Sequence, residues 1–238
     1  MTLLYMYRVS CDTGFAPCVS GGCLSLSCCK GGQIRNNKDC LTGIRYWIGS
    51  KKDADYERDD VYILGTYHDK FLYLAKVSKV LTMDDYFSNP DYKQRTDNIY
   101  DLVNGKLSRN KKLRFKDSKK DIHADPIQQR KDMNGRYVIL SNDYIYLGSD
   151  ACEIDIVKEF GAKKQETKKY YDDKAKKIID SCYVNNDNKE HSPNKPIIRV
   201  VIRNESYSIK KRFRQFIWRL CKPHFARWYY AVYADTWR

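Results

Sequence analysis

The apolar positions of this chain fall in short runs separated by polar stretches, which predicts strands and small helices. Residues 3–9 form an apolar and aromatic run of strand length. Residues 10–43 are long, polar and rich in glycine and cysteine, and connections of this length are usually functional or unstructured. Residues 44–48 predict a second strand, closed by Gly49-Ser50-Lys51-Lys52, with a charged surface loop over 53–60. Residues 61–64 and 71–80 predict a strand pair around 65–70. Thr82 opens a short helix, because Thr-x-x-Asp sets a hydroxyl and a carboxylate on the free amides of a first turn, and Pro90 limits its extension. Residues 91–131 are polar and very basic with few apolar anchors, and predict mostly loop. The runs 137–140 and 144–147 flank Ser141-Asn142-Asp143, a hairpin signal.

The last third has a different texture. Residues 166–182 predict a charged helix, 185–195 a polar linker and 197–202 a strand. Ile209, Phe213, Phe216, Ile217 and Leu220 then recur on one helical stripe. Lys210, Lys211, Arg212, Arg214 and Arg219 lie largely off that stripe and are candidates to grip a nucleic-acid backbone. Residues 161–238 hold 19 Lys and Arg against 8 Asp and Glu, so most of the excess charge sits here. The expected organisation is a domain over residues 1–160 and a basic, mainly helical extension over 161–238.

Composition sharpens this picture. Of 238 residues, 42% are hydrophobic, enough for a real core. Twenty tyrosines against eight phenylalanines suit half-buried strands and also stacking on bases. The net charge of +14 points to polyanions, nucleic acid first and an anionic membrane surface second. No apolar run approaches the roughly 20 residues that span a bilayer. The first eight residues lack the basic leader of a secretory signal, so a cytoplasmic location with reduced thiols is expected.

Four groups of residues could carry chemistry. In Asp12-Thr13-Gly14-Phe15-Ala16-Pro17 an acid follows a strand and a tight turn presents an aromatic; Asp12 could accept from a ligand or from the loop's own amides. Of the nine cysteines, six precede residue 41. The steps Cys18 to Cys23 and Cys23 to Cys28 leave four residues between, the upper limit for a zinc knuckle, and no matching second pair follows, so neither metal nor cofactor is expected. Cys28-Cys29-Lys30 reads as either a reactive thiol beside an ammonium or small buried apolar residues. Trp47-Ile48-Gly49-Ser50-Lys51 offers amides, a hydroxyl and an ammonium to an anion. His123, between Asp121 and Asp125, is the histidine placed to act as an acid, base or ligand contact.

Taken in order, several of these segments resemble the nucleotide modification associated domain 2 family, found in phages, bacteria and large DNA viruses. The matching residues are 12–17, 28–30, 47–51, 72–77, 81–87, 97–100 and 138–148, which cover the chain to about residue 155. The resemblance implies action beside enzymes that modify DNA bases or nucleotides, in the host cytoplasm if the source is viral. The same strands are more distantly similar to PUA-like barrels, including the EVE and YTH readers, which hold a flipped base in an aromatic pocket. That implies an α+β fold with a mixed, mainly antiparallel β-barrel core and short helices. It also implies that Phe15, Tyr46, Trp47 and Tyr73 wall a pocket, with Asp12, Lys30, Ser50 and Lys51 as polar contacts.

Two functions follow. The first is a binding module that holds a modified base or nucleotide, with DNA or a nucleotide as ligand and DNA-modifying enzymes as partners. The second is an enzyme acting on a nucleotide or modified base through Asp12, Cys28 or Cys29, and His123.

Overall fold

The computed structural model describes residues 1–10, 12–110, 113–115, 123, 125–162, 166–187 and 202–204. The elements in order are β1 (Thr2–Arg8), β2 (Cys18–Ser20), β3 (Cys23–Leu26), β4 (Gln33–Arg35), β5 (Lys38–Cys40), α1 (Ile44–Gly49), β6 (Asp60–Tyr67), β7 (Lys70–Lys76), β8 (Lys79–Thr82) and α2 (Met83–Ser88). They continue with β9 (Tyr100–Val103), β10 (Lys106–Arg109), β11 (Leu113–Phe115), α3 (Pro126–Met133), β12 (Tyr137–Ser141), β13 (Asp143–Tyr146), α4 (Asp155–Phe160), β14 (Thr167–Tyr171), α5 (Asp172–Asp187) and β15 (Ile202–Asn204).

Two sheets organise the molecule. The larger runs β13-β7-β6-β1-β14, antiparallel throughout except for the parallel pair β1 and β6, in which Tyr5 faces Ile63. The smaller runs β2-β3-β12-β8 and is antiparallel. Strand β1 is buried on both faces, which explains its unbroken apolar run. Leu3, Tyr5 and Tyr7 pack with Leu24, Leu26 and Ile139 of the smaller sheet and with Ile44 and Ile48 of α1. Leu4 and Met6 pack on the other face with Val157 of α4 and with Ala175, Ile178, Ile179 and Cys182 of α5. A third cluster covers the outer face of the smaller sheet, where Val138 and Leu140 meet Tyr86 and Phe87 of α2 and Tyr100 of β9.

The mixed α+β class, with mostly antiparallel strands and few helices, agrees with expectation; the barrel does not. Among the described residues the sheets are open and no barrel closes. The reason is visible where strands change sheets. The run 71–80 is broken at Val77 and Ser78: the Val77 amide donates to Val61 in the larger sheet, and the next amide, of Ser78, donates to Leu140 in the smaller. Likewise 137–147 is not a hairpin. Strand β12 lies in the smaller sheet and β13 in the larger, so the turn at Asn142 is a crossing point.

Three further expectations change. Residues 44–48 are helix, because Ile44, Arg45 and Ile48 bury one helical face, and tertiary burial overrides the strand preference of Ile, Tyr and Trp. Residues 91–131 contain the β9/β10 hairpin and most of α3, and residues 10–43 contain two hairpins, β2/β3 and β4/β5. Of the helix expected over 166–182, residues 167–171 are instead a strand paired with β1, and α5 begins at Asp172. The α2 start agrees with its motif: Thr82 Oγ1 accepts from the Asp85 amide at 3.1 Å. No helix among the described residues is long and apolar enough to cross a membrane.

Candidate active site

Strand β3 ends at Leu26, and the chain then turns through Ser27, Cys28, Cys29 and Lys30. Cys28 is buried in the third core cluster. Cys29 and Lys30 are both left-handed, with φ of 59° and 49°. For non-glycine residues that conformation costs about 1–2 kcal/mol each, so surrounding contacts must impose it. The imposing group is Arg45 on α1, a wholly buried side chain. Its guanidinium donates to the carbonyls of Ser27, Cys29 and Tyr137, each at 2.7 Å, and to that of Asp132. Gly135 admits the guanidinium, since a Cβ there would overlap it.

Helix α3 supplies the second part. Asp125 caps it, accepting from the Ile127 amide, and Pro126 sits in the first turn, where its missing N–H costs nothing. Asp132 in the last turn points inward and is fully buried. Its Oδ1 accepts from the Cys29 amide at 3.0 Å and from Gln128, one turn earlier, at 3.4 Å. Its Oδ2 meets the Tyr100 hydroxyl at 2.7 Å and His123 Nδ1 at 2.6 Å. On the opposite side of the ring, His123 Nε2 lies 3.9 Å from Cys29 Sγ. Cys29, His123 and Asp132 thus stand in line with the geometry of a thiol, an imidazole and an orienting carboxylate, an arrangement able to activate a cysteine.

Electrostatics agree with the geometry. The hydrogen bond from the Cys28 thiol and then the His123 ring lower the Cys29 pKa to about 5, against burial and the Asp132 charge. Cys28 is pushed up correspondingly by its hydrogen bond to Cys29 and by burial. Burial opposes charge on His123, but its bonds to Asp132 and Cys29 outweigh that and raise it to about 10. Burial also opposes charge on Asp132, yet the His123 bond and charge hold it below the usual carboxylate range. Both shifts act in the direction of a thiolate beside an imidazolium.

Cys29, Lys30 and Asp132 line a cavity of about 500 Å³, together with Tyr7, Arg8 and Lys131. The sequence-derived candidates divide around it. Phe15 is buried with its ring 6.2 Å from that of His123. Asp12 is buried and accepts from the Tyr146 hydroxyl at 2.7 Å. Tyr73 is buried, its hydroxyl 2.7 Å from that of Tyr7. Tyr46 packs near Tyr137, and Trp47 stacks on Tyr5 under the Lys169 ammonium. Ser50 donates to the Trp47 carbonyl, and Lys51 pairs with Asp55 and Glu57. Thus Cys29, Lys30, His123 and Phe15 gather, while Tyr46, Trp47, Ser50 and Lys51 belong to the α1 end and do not line the cavity. Lys210, Lys211, Arg212, Arg214 and Arg219 lie outside the described residues.

Ligand atoms of Cys29, His123 and Asp132 lie within 4.8 Å of one another, close enough to consider a metal. The ring orientation fits a relay better: Nδ1 is committed to Asp132 and Nε2 faces Cys29, so one nitrogen does not face both partners. Burial raises Cys18 to about 12 and also raises Cys23, so these are packing thiols. Asp132, Arg45 and Gln128 did not stand out in the sequence, and Tyr100 did so only as the end of the 97–100 segment. Asp132 sits among basic residues, and the one available signal was Asp125-Pro126, a helix start that would have put Gln128 and Asp132 on one face.

The family model of nucleotide modification associated domain 2 matches residues 1–199. No curated protein and no solved structure matches the chain.

Proposed function

We propose that this chain, which belongs to the nucleotide modification associated domain 2 family, acts on a nucleotide or modified base by covalent catalysis through Cys29. The observation that carries this reading is the Cys29–His123–Asp132 relay opening on a cavity. The thiolate attacks an electrophilic carbon, such as a carbonyl or amidine carbon of the base. An S–C bond forms, and the bond to the leaving group breaks with its electron pair. That group takes a proton from His123 Nε2. Water or another acceptor then attacks the same carbon, gives its proton to Nε2, and expels the thiolate with its electron pair. Asp132 keeps the ring oriented and its charge balanced.

The test is mass spectrometry of the protein incubated with deoxynucleotides and short DNA carrying natural and modified bases. An altered nucleotide or a Cys29 adduct is expected with the native chain and neither with Cys29→Ala. Conversion that survives Cys29→Ala would sink the reading. Tight binding with no product and no adduct would favour a binding module instead. The 19 to 8 excess of basic over acidic residues beyond residue 160 supports contact with a polyanion. DNA affinity should accordingly fall steeply with salt.

A further inference from the structure

Two lysines that form no ion pair with a carboxylate line the cavity beside Cys29. Lys30 directly follows the nucleophile, Lys131 directly precedes the orienting acid, and both line the cavity. Among the described residues neither ammonium forms an ion pair. By contrast Lys169 pairs with Asp53 and Lys76 with Asp60, both at 2.7 Å. Lys30 instead extends over the Tyr7 ring, its Nζ 4.6 Å from the centroid. Burial makes its charge costly and pushes its pKa down. A half-buried ammonium that has the Cys29 sulfur as its charged neighbour but no carboxylate partner, held in a strained left-handed position against an open cavity, is placed to meet an anion from outside.

Three other charged residues line the cavity: Arg8, Asp132 and Glu166. Arg8 contacts His68 through Nη2 at 3.1 Å. Asp132 is occupied by the relay. Glu166 is the other acid on the rim and pairs with neither lysine.

We propose that the substrate is phosphorylated, and that Lys30 and Lys131 hold its phosphate so that the reacting carbon faces Cys29 Sγ. This rests on the reading of Cys29 as nucleophile, and narrows the substrate from any base or nucleoside to one bearing phosphate. Lysine suits the task as a compact point charge with freely rotating donors. The cavity, about 500 Å³, is within the range of roughly 300–1,000 Å³ typical of small-molecule sites, so a mononucleotide is accommodated. The phosphate could equally belong to a terminal nucleotide of DNA, and the test separates the two.

The experiment uses thermal shift in Cys29→Ser, where no thiol chemistry intervenes. Inorganic phosphate, deoxynucleoside 5′-monophosphates, the matching nucleosides and a short 5′-phosphorylated oligonucleotide are compared. Phosphate and the monophosphates should raise the melting temperature and the nucleosides should not. The double variant Lys30→Met, Lys131→Met should lose the shift, and Lys30→Arg, Lys131→Arg should keep part of it. A response to the oligonucleotide alone would assign the phosphate to DNA. Should the methionine variant not fold, the native chain gives a second readout. Monophosphate at ten times its dissociation constant should slow alkylation of Cys29 by about tenfold, with no effect of the nucleoside. Equal responses to nucleosides and nucleotides, or a shift retained without the lysines, would overturn the proposal. An unreactive Cys29 together with a lysine-dependent phosphate shift would overturn the catalytic reading and leave the phosphate site standing.

Discussion

At the scale of single residues, the site is a problem of keeping two opposite charges out of water. The Cys28 hydrogen bond and then the His123 ring favour the Cys29 thiolate, and Asp132, facing the ring from the other side, favours charge on His123. The sign of the pH dependence follows. A thiol lowered to about 5 is mostly thiolate at pH 6, whereas one near 9 is about one part in a thousand thiolate there. Iodoacetamide at pH 6 should therefore label Cys29 first, with the rate falling only as pH drops through about 5; labelling that begins near pH 8 would contradict the ion pair. Asp132→Asn removes the anion that lifts His123. The ring titration, followed by NMR, should move from about 10 toward the ordinary value near 6.5. An unchanged titration would mean that Asp132 does not hold the ring.

At the scale of elements, the site depends on α1, which carries no group of the relay. Arg45 ties β3's exit loop, the end of α3 and the start of β12 together through four carbonyls. Arg45→Met would leave those carbonyls buried and unsatisfied, at about 1–3 kcal/mol for each that finds no water. The expected result is a loss of at least about 3 kcal/mol in denaturant unfolding, together with loss of the rapid Cys29 labelling. Gly135→Ala should act in the same direction, since its Cβ would collide with the guanidinium. A Gly135→Ala protein with native stability and reactivity would show that Arg45 does not hold the loop. The cap at α2 is a milder case. Thr82→Ala should cost about 1 kcal/mol and leave the relay in place, because the cap is exposed and the α2 side chains that pack beside Cys28 and Tyr100 are Met83, Tyr86 and Phe87.

At the scale of the whole molecule, the larger sheet is closed on one face only by segments late in the chain. Ala175, Ile178, Ile179 and Cys182 recur at helical spacing on α5 and cover Leu4, Met6 and Leu74, while β14 completes the edge beside β1. Each buried aliphatic side chain contributes about 1.5–3 kcal/mol, and a domain's net stability is only about 5–15 kcal/mol. A chain ended after residue 161 should therefore lose cooperative unfolding and expose apolar surface, seen by dye binding and calorimetry. A shortened chain that melts cooperatively near the native temperature would place α5 outside the folding unit. The family match to residue 199 runs past the same elements.

Local pattern alone was enough for β1, β6 and β7, for the capped start of α2, for the mixed α+β class and for Cys29, Lys30 and His123 as candidates. Each rests on short-range chemistry: a near-continuous apolar run, a hydroxyl within reach of a free amide, a thiol beside an ammonium. Tertiary structure decided the rest. Whether 44–48 became strand or helix depended on the burial of Ile44, Arg45 and Ile48 against loops distant in sequence. The expected pairing of 137–140 with 144–147 was lost because two sheets compete for adjacent strands. The orienting acid was invisible for the same reason: Asp132 stands 103 residues from Cys29, and only the fold brings its carboxylate to the Cys29 amide.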